Sequence, residues 1–122
     1  MKTLSSLTRT DKLLCAAYVA IALVALWATW SHNIAFFQLP NNGGAAGYIA
    51  GLYANHAAAS FTNDILLYAV AGGLFMVVEA RRLSIKYVWV YLLLSGMIAI
   101  SVMFPLFLVA RQVALARQRA QH

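Results

Sequence analysis

The chain has 122 residues, of which 63% are hydrophobic and 10% charged, and its formal net charge is +6. A soluble domain carries about 25% charged residues, and a chain this short cannot bury so much apolar surface in its own core. The composition therefore excludes an ordinary soluble domain and favours an integral membrane protein. The basic residues flank apolar runs, which argues against a nucleic-acid partner despite the positive charge.

The first apolar run, residues 13–37, predicts a first transmembrane helix. It exceeds the roughly 20 residues that cross a ~30 Å hydrocarbon layer, where a backbone without water must be helical. Lys2, Arg9 and Lys12 precede this run, as basic residues do in a secretory signal. The run is too long for the apolar part of a typical signal peptide, so we expect an uncleaved first span.

The segment between the first and second apolar runs, residues 38–60, contains the turn signal PNNGG, which ends the first helix. The residues after this turn place their larger side chains on one helical face. They are Tyr48, Ile49, Leu52, Tyr53 and His56. The pattern predicts a short helix at about residues 45–56 that lies in the membrane interface. A fourth crossing by this segment is the alternative.

Two further apolar runs predict the second and third transmembrane helices, at about residues 57–80 and 87–110. Residues 111–122 predict a basic helical tail that continues the third span. The predicted fold is thus one all-α integral membrane domain over residues 1–122, with three transmembrane helices and a short interfacial helix. Four transmembrane helices remain the alternative.

The distribution of basic residues predicts the orientation of the three spans. The N-terminal side would hold Lys2, Arg9, Lys12, Arg81, Arg82 and Lys86, and the other side Arg111, Arg117 and Arg119. This excess predicts a cytoplasmic N-terminus and an outside C-terminus. A fourth crossing would move the C-terminus inside with as many basic residues on that side, so charge does not separate the two topologies.

Glu79 lies at the end of the second predicted span, close in sequence to Arg81, Arg82 and Lys86. A carboxylate at headgroup level is hydrated and can pair with these cations. We therefore predict an interfacial ion-pair cluster that holds the turn between spans two and three.

Asp64 is predicted to lie below the opposite interface, next to Asn63. If spans two and three form an antiparallel hairpin, the nearest polar residue on span three is Ser101, whose carbonyl Pro105 leaves without a helical donor. Three interpretations stay open. The negative charge of Asp64 could be stabilised by the positive end of a helix dipole. Asp64 could instead form a structural contact with Ser101 or Arg111, or take part in a chemical function.

Asp64 and Glu79 do not form a catalytic pair within one chain. The helix between them is about 22 Å long, whereas two carboxylates that share a reaction lie within about 10 Å. Each acidic residue is instead predicted to mark one end of the second span.

Small residues on spans two and three predict faces where transmembrane helices pack closely. These are Ala69, Gly72, Gly73, Ser95, Gly96 and Ala99. Three helices leave much of their surface uncovered, so a homo-oligomer or a larger membrane complex is expected in addition to the membrane lipids.

His32 and His56 are the weak candidates for a metal or pigment ligand, because neutral imidazole is a common ligand. No Cys, Asp or Glu lies close enough in sequence to complete a set. No metal and no cofactor are therefore predicted, while a bound lipid or pigment stays open.

The segments FTNDILLYAVAGGLFMVVEARRLSIKYVWVYLL and PLFLVAR closely resemble an uncharacterised family of small bacterial multi-pass membrane proteins, a domain of unknown function. The likeness covers about residues 13–112. It rests on Asn63, Asp64, Glu79, Arg81, Arg82, Trp89, Tyr91, Pro105, Leu106, Phe107, Leu108 and Arg111. The resemblance implies a location in the bacterial inner membrane and implies no activity.

The sequence favours a non-catalytic membrane protein, an accessory or structural subunit that packs in a membrane complex or with itself. The alternative is a small membrane enzyme that acts on an isoprenoid or lipid, with Asp64 as acid or base. A weaker third hypothesis is a pore or carrier in which oligomers surround Asp64.

Overall fold

The computed structural model of the protein describes residues 6–121, and over this range it contains helices and no strand. The helices are α1 (Arg9–Gln38), α2 (Gly44–Leu52), α3 (His56–Leu83), α4 (Val88–Met97) and α5 (Ile100–Gln121). Three of them, α1, α3 and α5, are long and apolar enough to span a membrane, and α4 is a shorter apolar helix. The prediction of an all-α fold with three such helices is confirmed.

The first helix begins at Arg9 because a capping box closes its N-terminus. The Thr8 hydroxyl accepts a hydrogen bond from the Asp11 backbone N–H at 3.1 Å, and the Asp11 carboxylate accepts one from the Thr8 N–H at 2.8 Å. These bonds satisfy donors that a helix start leaves free. The helix ends at Gln38, two residues before Pro40.

A tight connection joins α1 to α2. Gly43 and Gly44 adopt φ values of +78° and +66°, which glycine tolerates without steric cost. The short α2 then folds back against the end of α1: the Tyr48 hydroxyl donates to Asn33 at 2.8 Å, and its ring stacks on Phe37 at 5.8 Å. A nine-residue helix is about 14 Å long. It is too short to cross a hydrocarbon layer of ~30 Å, so α2 does not provide a fourth crossing.

The predicted single helix over residues 87–110 is wrong, because the chain reverses at Ile98–Ala99. From Val88 to Met97 the chain runs antiparallel to α3, with Leu92 against Gly73. From Ile100 onward it runs parallel to α3, with Phe104 near Gly72. Thus α4 and α5 form a helical hairpin.

The reversal is stabilised by a hydrogen bond from α1. The indole N–H of Trp30 donates to the Ile98 carbonyl at 3.0 Å. In an apolar environment a backbone carbonyl released from a helix is costly unless it has a partner. Trp30 supplies that partner, so the hairpin turn is satisfied within the protein.

The hairpin reaches only part of the way along α3. Its turn lies beside Gly72, which at about 1.5 Å per residue is about 16 Å from Leu83 and about 24 Å from His56. Within the hairpin, Phe107 is fully buried against Met76 and Ala80 of α3. The packed core is thus confined to one half of the molecule.

The reversal also brings the two ends of the described chain to the same end of the bundle. Gln112 and Arg119 of α5 hydrogen-bond to Asp11 near the start of α1. The sequence predicts the chain ends on opposite sides of the membrane, whereas the structure places the start of α1 and the end of α5 at one end of the bundle. All described basic residues gather at this end, which we call the basic end: Arg9, Lys12, Arg81, Arg82, Lys86, Arg111, Arg117 and Arg119. Lys2 lies outside the described residues.

Candidate functional site

The first charged cluster at the basic end surrounds Glu79, which is 7% exposed. Arg82 donates through Nε to one carboxylate oxygen at 2.8 Å and through Nη2 to the other at 2.9 Å. Arg111 donates to the same carboxylate at 2.5 Å, and its guanidinium lies 5.5 Å from the centre of the Phe75 ring. Two-bond contacts between arginine and carboxylate are strong and directional. The cluster therefore joins the end of α3 to α5.

The structure contains only some of the ion pairs that the sequence predicts. Arg82 pairs with Glu79, whereas Arg81 and Lys86 form no ion pair within the described residues. Arg111, considered as a partner of Asp64, pairs with Glu79 instead. The chain reversal explains the change, because it returns Arg111 to the end of the bundle at which Glu79 lies.

The second charged cluster surrounds Asp11, which is 1% exposed and which the sequence did not single out. Its carboxylate accepts from Gln112 Nε2 at 2.6 Å, from Arg119 and from the Thr8 backbone. The spacing of Thr8 and Asp11 before an apolar run is a capping signal that sequence reading can detect. The contacts of Asp11 with Gln112 and Arg119 of α5 depend on the hairpin, and no local sequence pattern predicts them.

The two clusters hold α5 from opposite sides. Arg111 and Gln112 are neighbours in the sequence, and Arg111 reaches α3 while Gln112 reaches α1. Two of the three acidic residues of the chain are therefore occupied in contacts that position the hairpin.

The third acidic residue lines a cavity of ≈ 1030 Å³ on the far side of the hairpin turn, which we call the outer cavity. Its walls are α1 and α3, its floor is the turn between α4 and α5, and Tyr48 of α2 borders it. Polar side chains on its walls are Thr29, His32, Asn33, Asp64, Ser95 and Ser101. The cavity exists because the hairpin stops part-way along α3.

Asp64 is exposed, and no hydrogen bond or ion pair joins it to another described residue. Its neighbour Asn63 accepts a hydrogen bond at 2.9 Å from the hydroxyl of Tyr53, the residue that follows α2. Ser101 lines the same cavity without bonding to Asp64, and the buried Pro105 lies on the hairpin wall. The structure thus places Asp64, Ser101 and Pro105 around one cavity but does not join them by hydrogen bonds.

The predicted small-residue faces divide into two groups. Gly72 packs against Ile100 and Phe104, and Gly73 packs against Leu92. These contacts bring the hairpin close to α3. The other members line the outer cavity, which Gly73 also borders: Ala69, Ser95, Gly96 and Ala99. A side chain added at Gly96 would meet no atom within 4 Å.

The two histidines do not form a metal site with other potential ligands in the described part of the chain. His32 lines the outer cavity, and His56 begins α3. No group of three or more His, Cys, Asp or Glu residues is placed to hold a metal within residues 6–121. The cavity therefore offers one carboxylate, one imidazole and several hydroxyl and amide groups above a largely apolar floor.

Comparison with known proteins assigns the chain to a family. The family model described as "Protein of unknown function DUF2834" matches residues 17–113. The chain belongs to this family. No curated protein and no solved structure matches this DUF2834 member. The matched range includes Asp64, Glu79 and Arg111, whereas Asp11 and Arg119 lie outside it. The resemblance to a family of unknown function is confirmed, while its bacterial origin stays a prediction.

Proposed function

We propose that this DUF2834 member is a non-catalytic integral membrane protein, an accessory or structural subunit that packs laterally with a second copy or within a larger membrane complex. In this proposal α1 and α3 cross the bacterial inner membrane, and α4 and α5 form a hairpin that enters and leaves at the basic end. The basic end faces the cytoplasm.

The non-catalytic proposal rests on one observation: two of the three acidic residues are bound in structural contacts, and the third lies far from Glu79. Asp11 and Glu79 are buried and bound to basic or amide groups of α5. Asp64 lies about 22 Å of helix from Glu79, beyond the roughly 10 Å within which two carboxylates share a reaction. General acid and base chemistry by a pair of carboxylates has no support in this arrangement.

The surface of α1 supports lateral packing. One face of this helix meets α5 and bears its two buried residues, Asp11 and Ala22. Helical spacing places Ala20, Val24 and Trp27 on the opposite face, and all three are exposed. A small residue between larger ones lets a second helix approach closely in lipid.

The orientation follows from the gathering of positive charge. The sequence alone predicts six basic residues on one side of the membrane and three on the other. The chain reversal brings every described lysine and arginine to one end of the bundle. Residues 13–80 contain no lysine or arginine. Positive charge near the ends of membrane helices favours the cytoplasmic side, so the proposed orientation has a clear electrostatic basis.

Cysteine cross-linking tests lateral packing. In a Cys15→Ser background, Ala20→Cys places a thiol on the free face of α1, and Leu67→Cys is the control on α3, where the native side chain is 70% exposed. Oxidation in native membranes should join Ala20→Cys chains to each other or to a companion protein. The Leu67→Cys chain should stay mostly uncoupled.

Purification in a gentle detergent provides the second measurement. A protein that elutes as a monomer without any companion, together with no cross-link from Ala20→Cys, would overturn the proposal of lateral packing.

A lipid-modifying enzyme is the second candidate, and one observation favours it: Asp64 and His32 both line the outer cavity. Incubation of the purified protein in vesicles of defined lipids distinguishes the two functions. Formation of a new lipid species that Asp64→Asn abolishes would support the enzyme and contradict the non-catalytic proposal.

A further inference from the structure

The outer cavity holds the Asp64 carboxylate, which no described lysine or arginine can reach. Every described lysine and arginine lies at the basic end, and the nearest in sequence to Asp64 is Arg81. Along α3 these two residues are separated by about 25 Å. A long side chain cannot bridge that distance. His32 lines the same cavity but forms no ion pair with Asp64, so the carboxylate is open to a cation from outside this part of the protein.

An unpaired carboxylate beside an apolar cavity favours the binding of a cation. The cavity borders on Ile65, Leu66 and Val70, which are exposed apolar residues. Charged groups in such surroundings are costly unless they are paired or hydrated. An ammonium group that donates to the carboxylate would lower this cost through a charge-assisted hydrogen bond.

The depth and apolar floor of the outer cavity indicate that its ligand also has an apolar part. From the level of Asp64 to the hairpin floor near Gly72 is about 12 Å along α3, and the floor is formed by apolar and small residues such as Gly96 and Ala99. The volume of ≈ 1030 Å³ lies just above the range of roughly 300–1,000 Å³ that is typical of ligand sites. A ligand with a charged head and an apolar chain fits both parts.

Hydrogen-bond donors lie beside the same polar region. The Tyr48 hydroxyl binds the Asn33 carbonyl oxygen, which leaves the Asn33 amide nitrogen without a partner among the described residues. His32 is exposed on the same wall. These groups can donate to a phosphate, and no carboxylate other than Asp64 lines the cavity to repel one.

We propose that the outer cavity binds one zwitterionic phospholipid, taken laterally from the leaflet opposite the basic end. Its ammonium group pairs with Asp64, its phosphate accepts from Asn33 or His32, and an acyl chain extends towards the hairpin turn. The surrounding bilayer is the source, because the cavity opens on lipid-facing residues. This inference concerns a bound lipid and goes beyond the proposed packing function.

Native mass spectrometry of the full chain tests the proposal. The protein is reconstituted in bilayers with equal amounts of phosphatidylethanolamine and phosphatidylglycerol of the same acyl chains, released, and the retained lipid is counted. We expect phosphatidylethanolamine to be retained preferentially. Asp64→Asn should lower its retention about tenfold, the effect of losing one charge-assisted hydrogen bond, and Asp64→Glu should keep most of it.

Two glycine variants test the position of the lipid. Gly96→Leu adds a side chain into the outer cavity, and Gly51→Leu adds the same side chain on α2, where a Cβ likewise meets no atom within 4 Å. Gly96→Leu should lower lipid retention, and Gly51→Leu should leave it unchanged. Helical content measured by circular dichroism checks that each variant is folded.

Several results would overturn the proposal. Equal retention of the two lipids shows that the ammonium group is not recognised, and unchanged retention in Asp64→Asn shows that Asp64 does not bind it. A cross-link between Gly96→Cys chains would show that a second copy of the protein fills the cavity. These results leave the α1 cross-linking test unaffected, so failure of the lipid site and failure of lateral packing can be told apart.

Discussion

Gln112 donates a hydrogen bond to Asp11 at 2.6 Å, although the two residues are 101 positions apart in the sequence. The contact joins the start of α1 to the second half of α5 and is buried. It requires that the chain turn back on itself after α4. The positions of both chain ends, of the basic residues and of the outer cavity all depend on this reversal.

The first prediction concerns the membrane sides of the chain ends. Reporter domains fused to the N-terminus and to the C-terminus should both report the cytoplasm, because the start of α1 and the end of α5 both lie at the basic end. As a control, a thiol introduced by Gly51→Cys should react with an impermeant reagent added from outside. A C-terminal reporter that is active outside the cytoplasm would contradict the hairpin.

The second prediction concerns the Glu79 cluster. Glu79→Gln should lower the free energy of unfolding by about 2 kcal/mol, because it removes the charge that binds two arginines and leaves Arg111 unpaired in a partly buried position. Chemical unfolding in detergent micelles measures this value. Asp64→Asn, which removes an exposed carboxylate without a described partner, should change the value by less than about 0.5 kcal/mol.

The two arginines of this cluster should differ in their contribution. The Arg82 side chain is 55% exposed and the Arg111 side chain 27%. Since exposed ion pairs contribute less, Arg82→Met should be milder than Arg111→Met. The reverse order would show that the link to α5 is not the important one.

The third prediction concerns the hairpin turn. Trp30→Phe removes the indole donor and leaves the Ile98 carbonyl without its partner, which should cost about 1–2 kcal/mol of stability. Hydrogen exchange should rise at the amides around the turn. Trp27→Phe is the matched control, because Trp27 is 74% exposed. Equal effects of the two substitutions would argue against a role for the Trp30 bond.

The fourth prediction concerns the connection between α1 and α2. A Cβ at Gly47 would lie 2.0 Å from the Asn42 carbonyl oxygen, so Gly47→Ala forces the backbone to move. We expect a loss of about 1–3 kcal/mol, the usual cost of overpacking. Gly51→Ala, on the same helix with open space, should be neutral or slightly stabilising. A similar thermal midpoint for both variants would contradict the close approach.

The sequence predicts the two long helices α1 and α3 because each of their apolar runs is long enough for lipid to impose a helix on it. The run over residues 13–37 lies within α1, and the run over 57–80 lies within α3. The short helix between them was expected at 45–56 and lies at Gly44–Leu52. Hydrogen bonding of the backbone in an apolar solvent is a local requirement, so local composition is sufficient to predict it.

The candidate site was only partly predictable. Asp64 was singled out because an acidic residue within an apolar span is rare, and it lines the outer cavity with Ser101. Asp11 was missed, although Thr8 three residues earlier provides a capping signal. Arg111 was considered as a partner of Asp64 and not of Glu79, with which it pairs, because the direction of α5 was assigned from the length of the run alone.

The amino-acid sequence by itself determined that this protein is helical and suited to lipid, and which residues carry its few charges. Only the tertiary structure decided that residues 87–110 turn back at Ile98–Ala99. A crossing helix and a hairpin place the same apolar side chains in the same environment, so hydropathy does not distinguish them. Long-range contacts do: Trp30 binds the turn, Arg111 binds Glu79 and Gln112 binds Asp11.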